Sequence, residues 1–69
     1  MPTLEWTDAD EIGFQLSEKF PDREPLSVRF TEMHKLVIEL PDFSDTPEAS
    51  SEGILEAIQM AWLEYSQED

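Results

Sequence analysis

The sequence contains no cysteine, which excludes disulfide bonds, thiolate nucleophiles and thiolate ligands for metals or clusters. Histidine occurs once, at position 34, and there is no glycine-rich phosphate loop, zinc-ligand spacing or nucleophile elbow. Acid/base and nucleophilic catalysis need a positioned pair of groups. Paired carboxylates are the remaining candidates for such a catalytic pair. Among 17 acidic residues, however, two carboxylates are expected to lie close together by chance. We therefore expect a protein that binds rather than an enzyme.

Long apolar runs are also missing. Runs such as Leu36 to Ile38 are far shorter than the roughly 20 residues that a membrane-spanning helix needs. Residues 1–10 lack the basic start and the apolar stretch of a signal peptide. We expect a cytoplasmic protein with no membrane partner.

Basic residues are scarce: Lys19, Arg23, Arg29 and Lys35 face 17 acidic residues, which leaves a formal charge of -13. A field of this sign repels nucleic acid and anionic lipid, and it attracts metal cations and basic protein surfaces. The composition therefore predicts cationic partners and no nucleic-acid partner.

The hydrophobic fraction of 39%, with seven aromatic side chains of Phe, Trp and Tyr, argues against disorder in spite of the charge. A chain of 69 residues buries only about 60% of its unfolded surface and cannot divide its core between two units. We expect one folded domain over residues 1–69, acting as a monomer.

The first helix is predicted from Thr7 as N-cap to the stop at Pro21. Its apolar positions recur at helical spacing: Ala9, Ile12, Leu16 and Phe20. Gly13 weakens the helix by about 1 kcal/mol relative to alanine. It also allows a neighbouring element to approach closely.

A turn over residues 21–25 leads to a short extended piece, Val28 to Phe30, which we expect to pair with residues 4–6. Thr31 is the predicted cap of a second helix that Pro41 ends. Its apolar stripe follows the i, i+3, i+4, i+7 pattern: Met33, Leu36, Val37 and Leu40.

The third helix is predicted after Ser50 as its cap, with Phe43 as the anchor of the preceding polar loop and a frayed tail from Gln67 to Asp69. One face is apolar over three turns: Ile54, Leu55, Ile58, Ala61, Trp62 and Tyr65. We expect Trp62 to be buried against Met33 and Leu36. These elements predict a mainly α fold, a compact three-helix domain of winged-helix type with a minimal extended pairing.

A calcium loop is rejected for residues 42–53. An EF-hand requires oxygen ligands at its third and fifth positions, glycine at the sixth and glutamate at the twelfth. Here Ser44 and Thr46 weaken the ligand positions, while Pro47 and Gly53 replace the required glycine and glutamate.

Carboxylates near the end of the first helix are the candidate metal ligands. Asp22 and Glu24 flank Arg23 in a turn bounded by prolines, so their side chains are predicted to converge on a cation with Glu18. Oxygen ligands of this kind discriminate poorly among divalent ions. The alternative is a solvated acidic face.

His34 has two interpretations. A structural role beside the apolar stripe is favoured, and the alternative is a nitrogen ligand for a divalent metal beside Glu32. Arg29 is predicted to be a structural partner of Asp22 or Glu32 rather than an anion-binding group.

Several stretches, in this order and spacing, cover nearly the whole chain. They are Trp6-Thr7-Asp8, Glu11-Ile12-Gly13, Phe20-Pro21-Asp22-Arg23-Glu24-Pro25, Val28-Arg29-Phe30-Thr31-Glu32-Met33-His34, Leu40, Asp42-Phe43, Asp45, Pro47, Ala49-Ser50, Glu52, Ile54-Leu55-Glu56-Ala57-Ile58 and Trp62-Leu63. Together they resemble the IscX family of small acidic proteins of iron-sulfur cluster assembly.

The resemblance implies a winged-helix-like fold that does not bind DNA, an acidic surface that binds iron weakly, and docking onto the cysteine desulfurase IscS. It also implies competition with frataxin and ferredoxin and control of sulfur delivery. Among the matching positions, charge favours Asp8, Glu11, Asp22 and Glu32 as partner-binding residues.

The sequence departs from the family pattern at a few positions. Phe20 stands where tyrosine is common, Glu24 and Glu32 stand where aspartate is common, and Ser44 and Thr46 thin the acids of the loop. Metal binding near Asp22 is therefore favoured over binding in the loop. Two further hypotheses stay open, an iron donor in the same pathway and an acidic DNA mimic.

Overall fold

The computed structural model describes residues 3–67, which form three α-helices and two short 3₁₀ helices. The α-helices are α1 (Ala9–Lys19), α2 (Phe30–Ile38) and α3 (Glu52–Ser66), and the 3₁₀ helices are Pro25–Ser27 and Pro47–Ala49. The prediction of a mainly α, three-helix domain is confirmed. Within residues 3–67 there is no β-hairpin, and the extended pairing is one isolated bridge.

The N-cap of α1 is Asp8, and the prediction of Thr7 is wrong by one residue. A turn places Asp8 at this boundary, because its N–H donates to the Glu5 carbonyl at 2.8 Å. The Asp8 carboxylate in turn accepts from the Glu5 N–H at 3.0 Å. Two further acids in the first turn of α1 lie at the positive end of its dipole.

Gly13 lies where α1 crosses α3. A Cβ at this position would lie 2.5 Å from the Ala61 Cβ and 2.7 Å from the Trp62 backbone nitrogen. No side chain fits in that space, so glycine sets the distance between the two helices. The predicted close approach at Gly13 is confirmed.

The extended pairing lies elsewhere than predicted. Leu4 forms an isolated parallel bridge with Phe43, and the predicted pairing of residues 4–6 with residues 28–30 is wrong. The Leu4 N–H donates to the Asp42 carbonyl at 2.8 Å, and the Ser44 N–H donates to the Leu4 carbonyl at 3.0 Å. Phe43 packs against the core, as expected of the anchor of this loop.

Val28 and Arg29 have extended backbone angles, as predicted, but helical turns on both sides keep the segment too short for a strand. Pro25 begins a 3₁₀ helix, and α2 already begins at Phe30 with Arg29 as its N-cap, so Thr31 is not the cap. Val28 between them is buried in the core. The apolar alternation that predicted a strand comes from Val28, which is a core residue, and from Phe30, which is the first residue of α2.

The remaining helix ends differ slightly from the predictions. α2 ends at Ile38, and Leu40 reaches the core through a following turn in which its N–H donates to the Val37 carbonyl at 3.0 Å. The N-cap of α3 is Ser51 instead of Ser50, and its hydroxyl accepts from the Ile54 N–H at 3.3 Å. Of the tail predicted to fray, residues 68–69 lie outside the described part of the chain.

The hydrophobic core collects side chains from all three helices and from the first residues described. Its buried members are Leu4, Trp6, Ile12, Leu16, Val28, Met33, Val37, Leu40, Leu55, Ile58 and Trp62. Trp62 and Met33 are both 0% exposed, and Leu36 packs against the same cluster. The predicted burial of Trp62 in this core is confirmed.

Candidate functional site: an acidic surface beside an aromatic hub

The predicted partner-binding acids of α1 are exposed and make few bonds of their own. Asp8 is bonded to the Glu5 N–H, and Glu11 accepts from the Gln15 side chain at 3.3 Å. Asp10 accepts from the Tyr65 hydroxyl at 2.9 Å, which ties the start of α1 to the end of α3. The N-terminal part of α1 therefore presents carboxylates to solvent on a rigid helix.

Glu32 is held differently. Its carboxylate forms a salt bridge with Arg23, with side-chain exposures of 46% and 40%, respectively. The prediction that Arg29 pairs with Glu32 or Asp22 is wrong: among residues 3–67 the salt bridge of Glu32 comes from Arg23. A pair this exposed adds little stability. It does neutralise Glu32, which makes this acid a weaker contact for a basic partner than Asp8 or Glu11.

Asp22 and Glu24 line a polar cleft of about 290 Å³ between the turn that follows α1 and the last turn of α3. Glu18 does not line this cleft. Within residues 3–67 no three histidine or acidic side chains are grouped so as to hold a metal ion. The donor set has the oxygen chemistry that suits a hard cation, but no site is preformed. Iron binding by Glu18, Asp22 and Glu24 stays a prediction.

His34 is built into an aromatic hub, defined here as Trp6, His34 and Phe43. The imidazole stacks on Trp6 with a centroid distance of 5.3 Å, and Phe43 meets Trp6 edge to face at 4.8 Å. His34 Nε2 lies 2.6 Å from the Pro47 carbonyl, which accepts, so Nε2 carries the proton. Its Nε2 is thus bonded and Glu32 is paired elsewhere, which supports the structural role of His34 over the metal ligand.

The hub also fixes the loop before α3 through Asp45, which the sequence reasoning missed. Asp45 accepts from the Trp6 N–H at 3.1 Å and from the Thr46 N–H at 2.7 Å. The Trp6 indole N–H donates to the Thr46 carbonyl at 2.7 Å. Asp45 is therefore a structural acid. A short-range signal existed, because aspartate commonly bonds backbone N–H groups in turns.

The described part of the molecule is thus a small acidic three-helix domain whose exposed carboxylates offer a surface to cations or to basic proteins. None of the helices formed by residues 3–67 has the length and apolar character needed to cross a membrane.

The chain belongs to the iron-sulphur cluster assembly family, the IscX family, whose sequence model matches residues 4–67. A curated protein of Pseudomonas aeruginosa, described as uncharacterized, is 50% identical to it over 62 residues. That match covers 90% of this chain and 94% of the relative. The resemblance inferred from the sequence is confirmed at the level of the family.

Proposed function

We propose that this protein is an adaptor that regulates iron-sulphur cluster assembly by binding the cysteine desulfurase IscS through its acidic surface. The observation that carries the proposal is the cluster of exposed carboxylates at the start of α1, in a chain with a formal charge of -13. Membership of the cluster assembly family supports the pathway. The protein acts by binding, as a cytoplasmic monomer, and competes with frataxin and ferredoxin for the desulfurase.

Asp8 and Glu11 are the central contacts in this proposal, and Asp22 extends the surface at the far end of α1. Glu32 contributes less because Arg23 already neutralises it. A charged surface of this kind raises the rate of encounter with a basic partner more than it lengthens the life of the complex.

The test is a binding measurement between this protein and the desulfurase at low and high salt. Affinity should fall steeply between about 50 mM and about 500 mM salt, because screening acts on exposed charges beyond roughly 8 Å at physiological ionic strength. The triple variant Asp8→Lys, Glu11→Lys, Asp22→Lys should associate with the desulfurase more slowly than the wild type. Equal affinity at both salt concentrations contradicts the proposal.

A matched control reverses the same number of charges away from α1. Glu39 at the end of α2 and Glu56 and Glu64 on α3 are exposed, so their replacement by lysine changes the net charge equally. This control variant should retain most of the association rate. If both triple variants lose it equally, net charge alone attracts the partner and the surface on α1 is not the site.

We propose in addition that iron binds weakly to surface carboxylates, with Glu18, Asp22 and Glu24 gathering around the ion as it arrives. Bringing these carboxylates together costs repulsion, which a divalent ion relieves, so the affinity is low and the melting temperature rises modestly. Manganese should act similarly, since oxygen ligands discriminate little.

Titration of ferrous iron into three proteins tests this assignment: the wild type, His34→Ala, and the Asp22→Asn, Glu24→Gln double variant. The double variant should lose binding, and His34→Ala should keep it. The opposite result moves the site to α2. An iron donor differs from a regulator in releasing iron to the cluster, so transfer of the bound ion during assembly would favour the donor function.

A further inference from the structure

An apolar groove lies between the first turns of α2 and the N-terminal half of α3. Phe30, Thr31 and His34 line it from α2, and Leu55 lines it from α3. Its volume is about 420 Å³, within the range of about 300–1,000 Å³ that ligand pockets occupy. The groove is open to solvent and its lining is mostly apolar.

Polar atoms in the lining of the groove are few and belong to Thr31 and His34. His34 has used Nε2 on the Pro47 carbonyl, and one of its faces stacks on Trp6. Phe30 and His34 are four residues apart on α2, so their rings lie on one side of the helix. Such a lining favours a large apolar side chain, as in the anchor pockets of protein interfaces.

The charges around the groove indicate what carries that side chain. Glu52 lies one turn before Leu55 on α3 and Glu48 follows Pro47, and both acids are exposed. Arg29 and Lys35 are the sequence neighbours of the groove residues Phe30 and His34, and they offset these acids locally. The formal charge of -13 on the whole chain therefore favours a partner segment that is positively charged. A second copy of this chain carries the same charge and is repelled.

We infer that this groove receives one large apolar side chain from a basic segment of a partner protein. The inference rests on the proposed function, since the basic partner is the same protein. Exposed acids speed encounter, whereas an anchored apolar side chain slows dissociation. The groove thus supplies the part of binding that salt does not screen.

The first experiment uses the wild-type protein and short synthetic peptides, followed by amide chemical shifts. One peptide has a phenylalanine between two lysines on each side, the second has alanine in place of phenylalanine, and the third has glutamates in place of the lysines. The first should shift the amides of Phe30, Thr31, His34 and Leu55. It should bind about tenfold to a hundredfold more tightly than the alanine peptide, as expected for burying one large apolar side chain.

Equal binding of the phenylalanine and alanine peptides overturns the inference, because charge alone then explains the contact. Tighter binding of the glutamate peptide also overturns it, since the partner would be acidic. Shifts confined to α1 show that the peptide uses the acidic surface and not the groove.

The second experiment fills the groove. Thr31→Trp places a large neutral side chain in it, and Ala57→Trp makes a similar addition at an exposed position of α3 that lines neither the groove nor the polar cleft. Thr31→Trp should lose binding of the phenylalanine peptide, while Ala57→Trp keeps it. Circular dichroism of both variants checks their folding, and the peptide comparison on the wild type does not depend on it.

The same variants separate this inference from the proposed function. If Thr31→Trp dissociates from the desulfurase faster but associates at an unchanged rate, both stand. If Thr31→Trp binds the desulfurase like the wild type, the groove is not its contact and the inference fails while the proposed function stands. If the wild type binds the phenylalanine peptide at the groove but not the desulfurase, the proposed function fails and the groove stands.

Discussion

The pair formed by α1 and α3 and the segment that connects α2 to α3, residues 39–51, are held in place by different forces. The helix pair relies on buried apolar side chains and on backbone contact at Gly13. The connecting segment places only Leu40 and Phe43 against the core, and its remaining length relies on hydrogen bonds to Leu4, Trp6 and His34. Changes in the helix pair should therefore affect the whole fold, and changes in the connecting segment should act locally.

The largest expected effect is that of Trp62→Ala, at the centre of the helix pair. Trp62 is 0% exposed, and truncation of a buried aromatic side chain costs about 3–5 kcal/mol. A domain this small should then be largely unfolded at 37 °C. Near-ultraviolet circular dichroism checks the outcome, and a native spectrum in the variant would contradict the packing of α3.

A pair of glycine substitutions tests the backbone contact. Gly13→Ala should lower the free energy of unfolding by about 1–3 kcal/mol, because the new Cβ overlaps the α3 backbone. Alanine also has the higher helix propensity, but that gain is smaller than the cost of the overlap. Gly53→Ala should raise stability by about 0.5–1 kcal/mol, since no atom lies within 4 Å of a Cβ there. Urea denaturation measures both. A stabilised Gly13→Ala protein would show that the helices separate easily.

Asp45→Ala tests the connecting segment. It removes the acceptor of the Trp6 and Thr46 N–H groups, which should cost about 1–2 kcal/mol. Hydrogen exchange should increase in residues 42–49 with much less change in α1 and α3. Asp42→Ala is the control, because it removes the same charge while its backbone carbonyl still accepts from Leu4. Equal effects of the two variants would assign the loss to charge.

The smallest effect is expected where the connecting segment meets α3. Ser51→Ala removes the side-chain cap from Ile54 N–H and should cost about 1 kcal/mol. Ser50→Ala, one residue earlier, leaves this cap in place and should change stability by less. Thermal denaturation of the two variants distinguishes them, and the reverse order would restore Ser50 as the cap.

The helices and much of the core follow from the sequence because helical periodicity is a local signal. The apolar spacing placed Ile12, Leu16, Met33 and Trp62 inside the protein, and the single glycine of α1 marked the helix crossing. Helix starts were predicted within one or two residues. These misses occurred where neighbouring polar residues compete for one N-cap.

The contacts of the connecting segment could not be predicted in the same way. Leu4 has two candidate partners of similar apolar character, and nothing local chooses Phe43 over Val28. The bonds of Asp45 to Trp6 and of His34 to Pro47 depend on the assembled tertiary structure. The exposed acids of the candidate surface were predictable from charge. The neutralisation of Glu32 by Arg23 was not, because another basic residue, Arg29, lies closer to it in sequence.

The hydrogen bond between Tyr65 and Asp10 joins positions 55 residues apart, one in the first and one in the third α-helix of the domain. The crossing at Gly13 has a similar sequence separation. Folding speed falls as the mean separation of contacting residues grows, because the ends of a long loop must meet before their contacts stabilise anything. On the ribosome, α1 can therefore bury its apolar face only after α3 has been synthesised, so this domain folds late, once the last of its three helices is available.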